Sequence, residues 1–110
     1  MAYDLDLAYR IRGMLSEECG VDEKSMFGGL AFLINGNMAL AASGQGGIMV
    51  RVPPEDTEGL LAFDNTEPMV MSGHELRGWL RVSKDGIRTE RQLQRWVTLG
   101  SDYARKLPPK

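Results

Sequence analysis

The sequence predicts a single α+β domain in which helices cover one face of an antiparallel sheet. Helical periodicity at both ends of the chain, strand-like alternation between them and glycine or asparagine turns between the strands support this class. The predicted order is helix, three strands, helix, two strands, helix, in two layers. A chain of 110 residues fits one domain, so residues 1–110 are assigned to it.

A first helix is predicted over residues 3–18. Asp4 is available to cap its N-terminus, and Gly20 is suited to the left-handed position after its end. Gly13 costs about 1 kcal/mol relative to alanine inside a helix, so it either permits a close approach or is a tolerated weakness. The apolar residues that recur at helical spacing are Leu7, Ile11, Met14 and Leu15.

Three strands are predicted next. Residues 26–34 are apolar or small on both faces of an extended strand, so we expect cover on both sides. The sequence Asn35-Gly36-Asn37 accepts the positive φ of a tight hairpin, and residues 38–43 form the returning strand. A glycine-rich turn at residues 44–47 leads to a third strand over residues 48–52.

The glycines of this region raise the question of a phosphate-binding loop. Gly28-Gly29 lies within an apolar strand run, and the turn at residues 44–47 joins two strands without a following lysine and serine or threonine. Neither pattern matches a P-loop or a dinucleotide fingerprint. A bulge, a bend or close packing is therefore favoured over ligand binding.

The second half of the chain predicts a short helix, two strands and a longer helix. The short helix follows Pro53-Pro54 and buries Leu60, Leu61 and Phe63. The strands cover residues 68–71 and 78–82, and the polar residues 72–75 connect them. Thr89 and Gln92 form a capping box at the start of the last helix. Its inner stripe is Leu93, Trp96, Val97, Gly100, Tyr103, Ala104 and Leu107.

Composition points to a cytoplasmic protein, and its charges are distributed asymmetrically along the chain. Residues 1–72 hold 4 basic and 11 acidic side chains, whereas residues 73–110 hold 9 basic and 4 acidic ones. Such a split can mark a basic surface for an acidic partner, and it motivates a binding test. No apolar run approaches the roughly 20 residues of a membrane span, and the start of the chain lacks a signal-peptide pattern. Cys19 is the only cysteine, which fits a reducing compartment.

No pattern typical of an enzyme is visible. His74 is the only histidine, and no second histidine or cysteine is spaced with it to complete a zinc site. No serine lies in a nucleophile-elbow context. We therefore expect no enzymatic activity, no metal and no cofactor.

The best candidate for binding is a basic stripe on the last helix. Arg88, Arg91 and Arg95 recur at spacings of three and four, and arginine binds phosphates and carboxylates through its planar fork. The alternative is a solvated face partly paired with Glu90 and Asp102.

A second basic segment runs from Arg77, just before the last predicted strand, to Arg81 within it. The two arginines flank Trp79 and add charge to the candidate surface. Trp79 is more typical of a core side chain than of a base-stacking platform, because it alternates with apolar neighbours.

Three segments together resemble the N-terminal domain of the TfoX/Sxy family. They are Met26-Phe27-Gly28-Gly29-Leu30-Ala31-Phe32, Asn35-Gly36-Asn37-Met38 and Arg77-Gly78-Trp79-Leu80-Arg81-Val82. The resemblance covers nearly the whole chain and implies a type III secretion chaperone-like α+β fold. Named members regulate natural competence with the cyclic-AMP receptor protein and carry a second, C-terminal domain. Because the chain ends at Lys110, we expect a stand-alone domain.

The function predicted is therefore a non-enzymatic regulatory module that binds a transcription regulator protein or DNA through the arginines. The alternative is a small-molecule-binding or enzymatic role in a pocket between sheet and helices. The pocket lining would be Met26, Met38, Met49, Met69 and Met71. A homodimer through an exposed sheet face or edge strand is compatible with either.

Overall fold

The computed structural model describes residues 3–26 and 28–109, with the side chain of Met71 left out. The predictions that place Phe27 in a strand and the Met71 side chain in a pocket therefore lie outside the described residues. The helices are α1 (Leu5–Met14), α2 (Thr57–Leu60) and α3 (Glu90–Lys106). The strands are β1 (Val21–Met26), β2 (Gly29–Ile34), β3 (Asn37–Ala42), β4 (Ile48–Arg51), β5 (Thr66–Met71) and β6 (His74–Val82). Short 3₁₀ turns cover Pro54–Asp56 and Lys84–Ile87.

The strands form one antiparallel sheet in the order β1-β2-β3-β4-β6-β5, which confirms the predicted α+β class. Both edges are blunted. β1 carries Asp22, Glu23 and Lys24, and β5 carries Pro68, which has no N–H to donate, next to a register shift.

The prediction missed β1, because its sequence VDEKSM shows no apolar alternation. As an edge strand it is mostly exposed and buries little. The predicted strand over residues 26–34 is consequently divided. Met26 ends β1, Gly28 lies in an exposed turn with φ 75°, and β2 begins at Gly29.

The turns follow the chemistry of their residues. Asn35 and Gly36 have φ of 53° and 86°, which confirms the tight hairpin. The β5–β6 turn is tighter than the predicted connection over residues 72–75. Only Ser72 and Gly73 form it, and the pairing of Met71 with His74 continues the ladder.

The helix ends are set by local hydrogen bonds. The Asp4 carboxylate accepts from the backbone N–H groups of Asp6 and Leu7, and this confirms the cap of α1. α1 ends at Met14, four residues before the predicted end. The capping box of α3 is also confirmed. The predicted burial of Phe63 is wrong, since its side chain is 43% exposed after the single turn of α2.

The main core lies between one face of the sheet and helices α1 and α3. Phe32, Leu40 and Ile11 are fully buried in it. α3 approaches the sheet closely at Gly100, where an added Cβ would lie 2.5 Å from the Ala39 carbonyl oxygen. The buried Asn37 side chain donates to the Pro108 carbonyl at 2.9 Å and ties the end of the chain to β3.

Candidate functional site

The structure separates the three arginines of the predicted stripe. Arg88 precedes α3, which begins at Glu90, and its guanidinium pairs with the Asp85 carboxylate. Arg91 and Arg95 lie on α3 and are exposed. The placement of Arg88 on the helix is therefore wrong, and the stripe reduces to two arginines.

The acidic partners suggested for the stripe belong to other arginines. Glu90 pairs with Arg10 of α1 at 3.0 Å, and Asp102 pairs with Arg105 at 2.7 Å. Within the described residues, no carboxylate oxygen lies within 4.0 Å of the side-chain nitrogens of Arg91 or Arg95. The pairing of the stripe with Glu90 and Asp102 is therefore wrong, whereas a solvated face remains the alternative to a binding surface, because Arg91 and Arg95 are exposed.

Arg91 and Arg95 line a groove of about 710 Å³ between α1 and α3, named here the α1–α3 groove. Its residues combine charge, polarity and apolar surface. They are Met14 from α1 and Glu90, Arg91, Gln94, Arg95, Thr98 and Leu99 from α3. The groove therefore offers two arginine forks beside apolar side chains, which suits an anionic group next to an apolar one.

An aromatic pair supports one wall of the groove. The Arg95 guanidinium carbon lies 5.0 Å from the centre of the Phe63 ring. Phe63 in turn meets the buried Trp96 edge to face at 5.9 Å. Exposed Phe63 thus restrains Arg95 without neutralising its charge.

The two arginines of β6 lie apart from the α1–α3 groove. Arg77 donates to the Pro54 carbonyl at 3.2 Å, and Arg81 donates to the Gln45 side chain at 2.6 Å. Neither residue lines the groove. The structure therefore places two of the five candidate arginines, Arg91 and Arg95, in the groove, and Arg81 lines a separate cleft.

Trp79 is half-buried beside an arginine that the sequence reasoning overlooked. The Arg51 guanidinium carbon lies 5.5 Å from the Trp79 ring centre and 5.7 Å from that of Tyr103. Trp79 also packs against a methionine cluster. This environment agrees with the prediction that Trp79 is a packing residue.

The predicted methionine pocket takes a different form. Met38, Met49 and Met69 are buried and belong with Ala31 and Ala41 to a cluster that contains no helix residue. The cluster lies on the face of the sheet opposite the main core. The location between sheet and helices is therefore wrong for these three methionines, and none of the four described cavities is lined by them.

The ion pair between Arg12 and Glu23 connects α1 to β1. Arg12 of α1 holds Glu23 of β1 through two hydrogen bonds, at 2.5 and 2.8 Å. These bonds lower the pKa of Glu23 below its ordinary value of 4.5. The pair therefore contributes stability above that ordinary value, and the contribution is lost as pH falls through the lowered pKa.

We expect Glu23→Gln to lower the free energy of unfolding at pH 7 by a small amount, because both side chains are partly exposed. The difference from the unsubstituted protein should vanish in acid, where Glu23 is protonated. Urea denaturation of both proteins across this pH range measures it. A difference that persists in acid would assign the effect to packing.

Sequence reasoning missed the polar lining of the α1–α3 groove. Gln94 and Thr98 stand three and seven residues after Arg91, which places them on the same helix face. That spacing was available as a signal. The contribution of Met14 was not, because it depends on how α1 packs against α3.

A family model described as the TfoX N-terminal domain matches residues 14–104. No curated protein and no solved structure matches the chain.

Among residues 3–26 and 28–109, no group of three or more histidine, cysteine, aspartate and glutamate side chains is placed to hold a metal ion. No helix in the same ranges has the length and apolarity needed to cross a membrane.

Proposed function

Because the chain belongs to the TfoX N-terminal domain family, we propose that it is a regulatory interaction module that acts by binding and not by catalysis. Its α1–α3 groove would bind an acidic segment of a transcription protein. The observation that carries this proposal is that the charges of Arg91 and Arg95 are exposed and not neutralised by a carboxylate of the described residues. In contrast, Arg10, Arg12, Arg88 and Arg105 are paired.

The chemistry of the groove favours an acidic peptide over DNA. Two free arginines neutralise about two phosphates, whereas a protein that binds DNA firmly makes about 6–10 phosphate contacts. Met14 and Leu99 add apolar surface that a phosphate backbone does not use. A peptide with acidic residues beside a leucine or phenylalanine matches both features.

The test uses a labelled peptide of alternating acidic and leucine residues, titrated with the protein and followed by fluorescence anisotropy. We expect the double variant Arg91→Glu/Arg95→Glu to weaken binding by at least about tenfold, or about 1.4 kcal/mol. Its circular-dichroism spectrum should not change, because both side chains are exposed.

The matched control is Lys24→Glu/Lys106→Glu, which makes the same change in net charge at two exposed lysines outside the groove. It should bind the peptide within about twofold of the unsubstituted protein. Equal losses in both double variants would show that net charge, and not the groove, governs binding.

A duplex DNA titration at low and physiological salt separates the two partner classes. Saturable binding that weakens steeply with salt would replace the acidic protein by DNA as the partner. No binding at low salt would exclude direct DNA contact by this domain.

A further inference from the structure

A second cleft, of about 420 Å³, lies where the β3–β4 turn meets the end of β6, on a surface distinct from the α1–α3 groove. Its charged and polar lining comes from four parts of the fold. These residues are Gln45 of the turn, Glu67 of β5, Arg81 of β6 and Ser83, Lys84 and Asp85 at and after the end of β6. It is named here the Arg81 cleft.

Arg81 is oriented in this cleft by neutral groups. Its Nη1 donates to the Gln45 side-chain oxygen at 2.6 Å, and its Nη2 donates to the Ser43 hydroxyl at 3.4 Å. The Ser43 hydroxyl also accepts from the backbone N–H of Gln45 at 3.1 Å, which fixes the turn. Arg81 is thus held in place with its positive charge uncancelled, and an anion gains from such preorganisation.

Glu67 stands directly across the β5–β6 ladder from Arg81. Directly opposed side chains of opposite charge commonly pair in antiparallel sheets. Here the two do not come within 4.0 Å, because Arg81 reaches towards Gln45. The cleft therefore places a free carboxylate beside a free guanidinium.

The other charges of the cleft add one more cation. Lys84 has no ion pair or hydrogen bond from its ammonium group within the ranges that the structure describes, whereas Arg88 neutralises Asp85. Two cations and one free carboxylate remain. A ligand that fits this set is an anion that also donates a hydrogen bond.

We propose that the Arg81 cleft binds a phosphate group that keeps a proton. Arg81 and Lys84 would contact its anionic oxygens, and Glu67 would accept the hydrogen bond from its P–OH group. Inorganic phosphate and a small phosphate monoester share this chemistry. The volume of the cleft leaves room for the organic part of a monoester.

The first test compares inorganic phosphate with sulfate, which has the same shape but no proton at neutral pH. Amide resonances of Gly46, Gly47 and Ser83 are followed by nuclear magnetic resonance at matched ionic strength. We expect saturable shifts with phosphate and at least about tenfold weaker binding of sulfate. Equal affinities would mean a non-specific basic patch, and the absence of shifts would mean no site; either overturns the proposal.

Three single variants test which side chain makes each contact with the phosphate. Arg81→Gln and Lys84→Gln should each weaken phosphate binding by about tenfold or more. Lys84 is exposed, so its variant keeps the test valid if Arg81→Gln disturbs the turn. Glu67→Gln should let sulfate bind about as well as phosphate, because the amide donates to an unprotonated oxygen. Sulfate discrimination that survives Glu67→Gln would contradict the role of Glu67.

A control variant tests whether the effect is specific to the cleft, and a phosphate monoester is compared with inorganic phosphate. Arg91→Gln removes a charge from the other groove and should leave phosphate binding unchanged; a loss equal to that of Arg81→Gln would overturn the proposal. Phosphoserine at about pH 6, where roughly half its phosphate is singly charged, serves as the monoester. Tighter binding of phosphoserine than of phosphate identifies a monoester site, and the reverse identifies a site for the free ion.

Discussion

Gly47→Ala is expected to lower the free energy of unfolding by about 3 kcal/mol or more. Gly47 has φ of 70°, which costs an alanine about 1–2 kcal/mol. An added Cβ would also lie 2.1 Å from the Val82 carbonyl oxygen, and this oxygen belongs to the backbone of the central sheet. The turn at Gly47 and the Val82 carbonyl cannot move apart without disturbing β6. The free-energy cost of this steric clash therefore adds to the cost of the positive φ.

Gly73→Ala is the matched control. Gly73 has a similar φ of 80°, but nothing lies within 4 Å of an added Cβ. This variant should lose only the conformational term of about 1–2 kcal/mol. Urea denaturation of the three proteins gives the difference. Equal losses at both positions would show that the β3–β4 turn yields to the extra methyl group.

Gly100→Ala is expected to destabilise the protein by about 2 kcal/mol, although alanine is the better helix former. Helix propensity alone predicts a gain of about 1 kcal/mol. The added Cβ would lie 2.5 Å from the Ala39 carbonyl oxygen, so α3 would have to move away from β3. Overpacking of this kind costs about 1–3 kcal/mol and outweighs the propensity.

Gly13→Ala isolates the propensity term. Gly13 is exposed in α1, and nothing lies within 4 Å of an added Cβ. It is therefore a tolerated weakness and not a point of close approach. Alanine should raise the melting temperature there and lower it at position 100. A change of the same sign at both positions would contradict the close contact between α3 and β3.

The elements predicted best are those whose signals lie within four residues. The box of Thr89 and Gln92, the Asp4 cap and the Asn35-Gly36 turn each combine groups that are neighbours in the chain. β1 gave no such signal. Its place in the sheet comes from pairing with β2, and its charged side chains follow from its edge position.

The candidate site was predicted only in part, because part of it depends on contacts between residues that are far apart in the sequence. Spacing identified Arg91 and Arg95 as exposed neighbours on one helix. Their freedom from ion pairs depends on Glu90 meeting Arg10, a contact across 80 residues of sequence. The Arg81 cleft likewise depends on a turn folding against β6. The pairs of Arg88 with Asp85 and of Arg105 with Asp102 join residues three apart in the chain, but the pair of Arg10 with Glu90 joins distant segments, and local patterns do not contain such contacts.

The two blunted edges of the sheet affect how the protein behaves at high concentration. A sheet polymerises when an exposed strand offers its free N–H and C=O groups to another copy. The charged row on β1 and Pro68 on β5 oppose such addition at both ends. They disfavour the edge-strand route to the predicted homodimer, and they oppose fibril growth by edge-to-edge addition of one sheet to another.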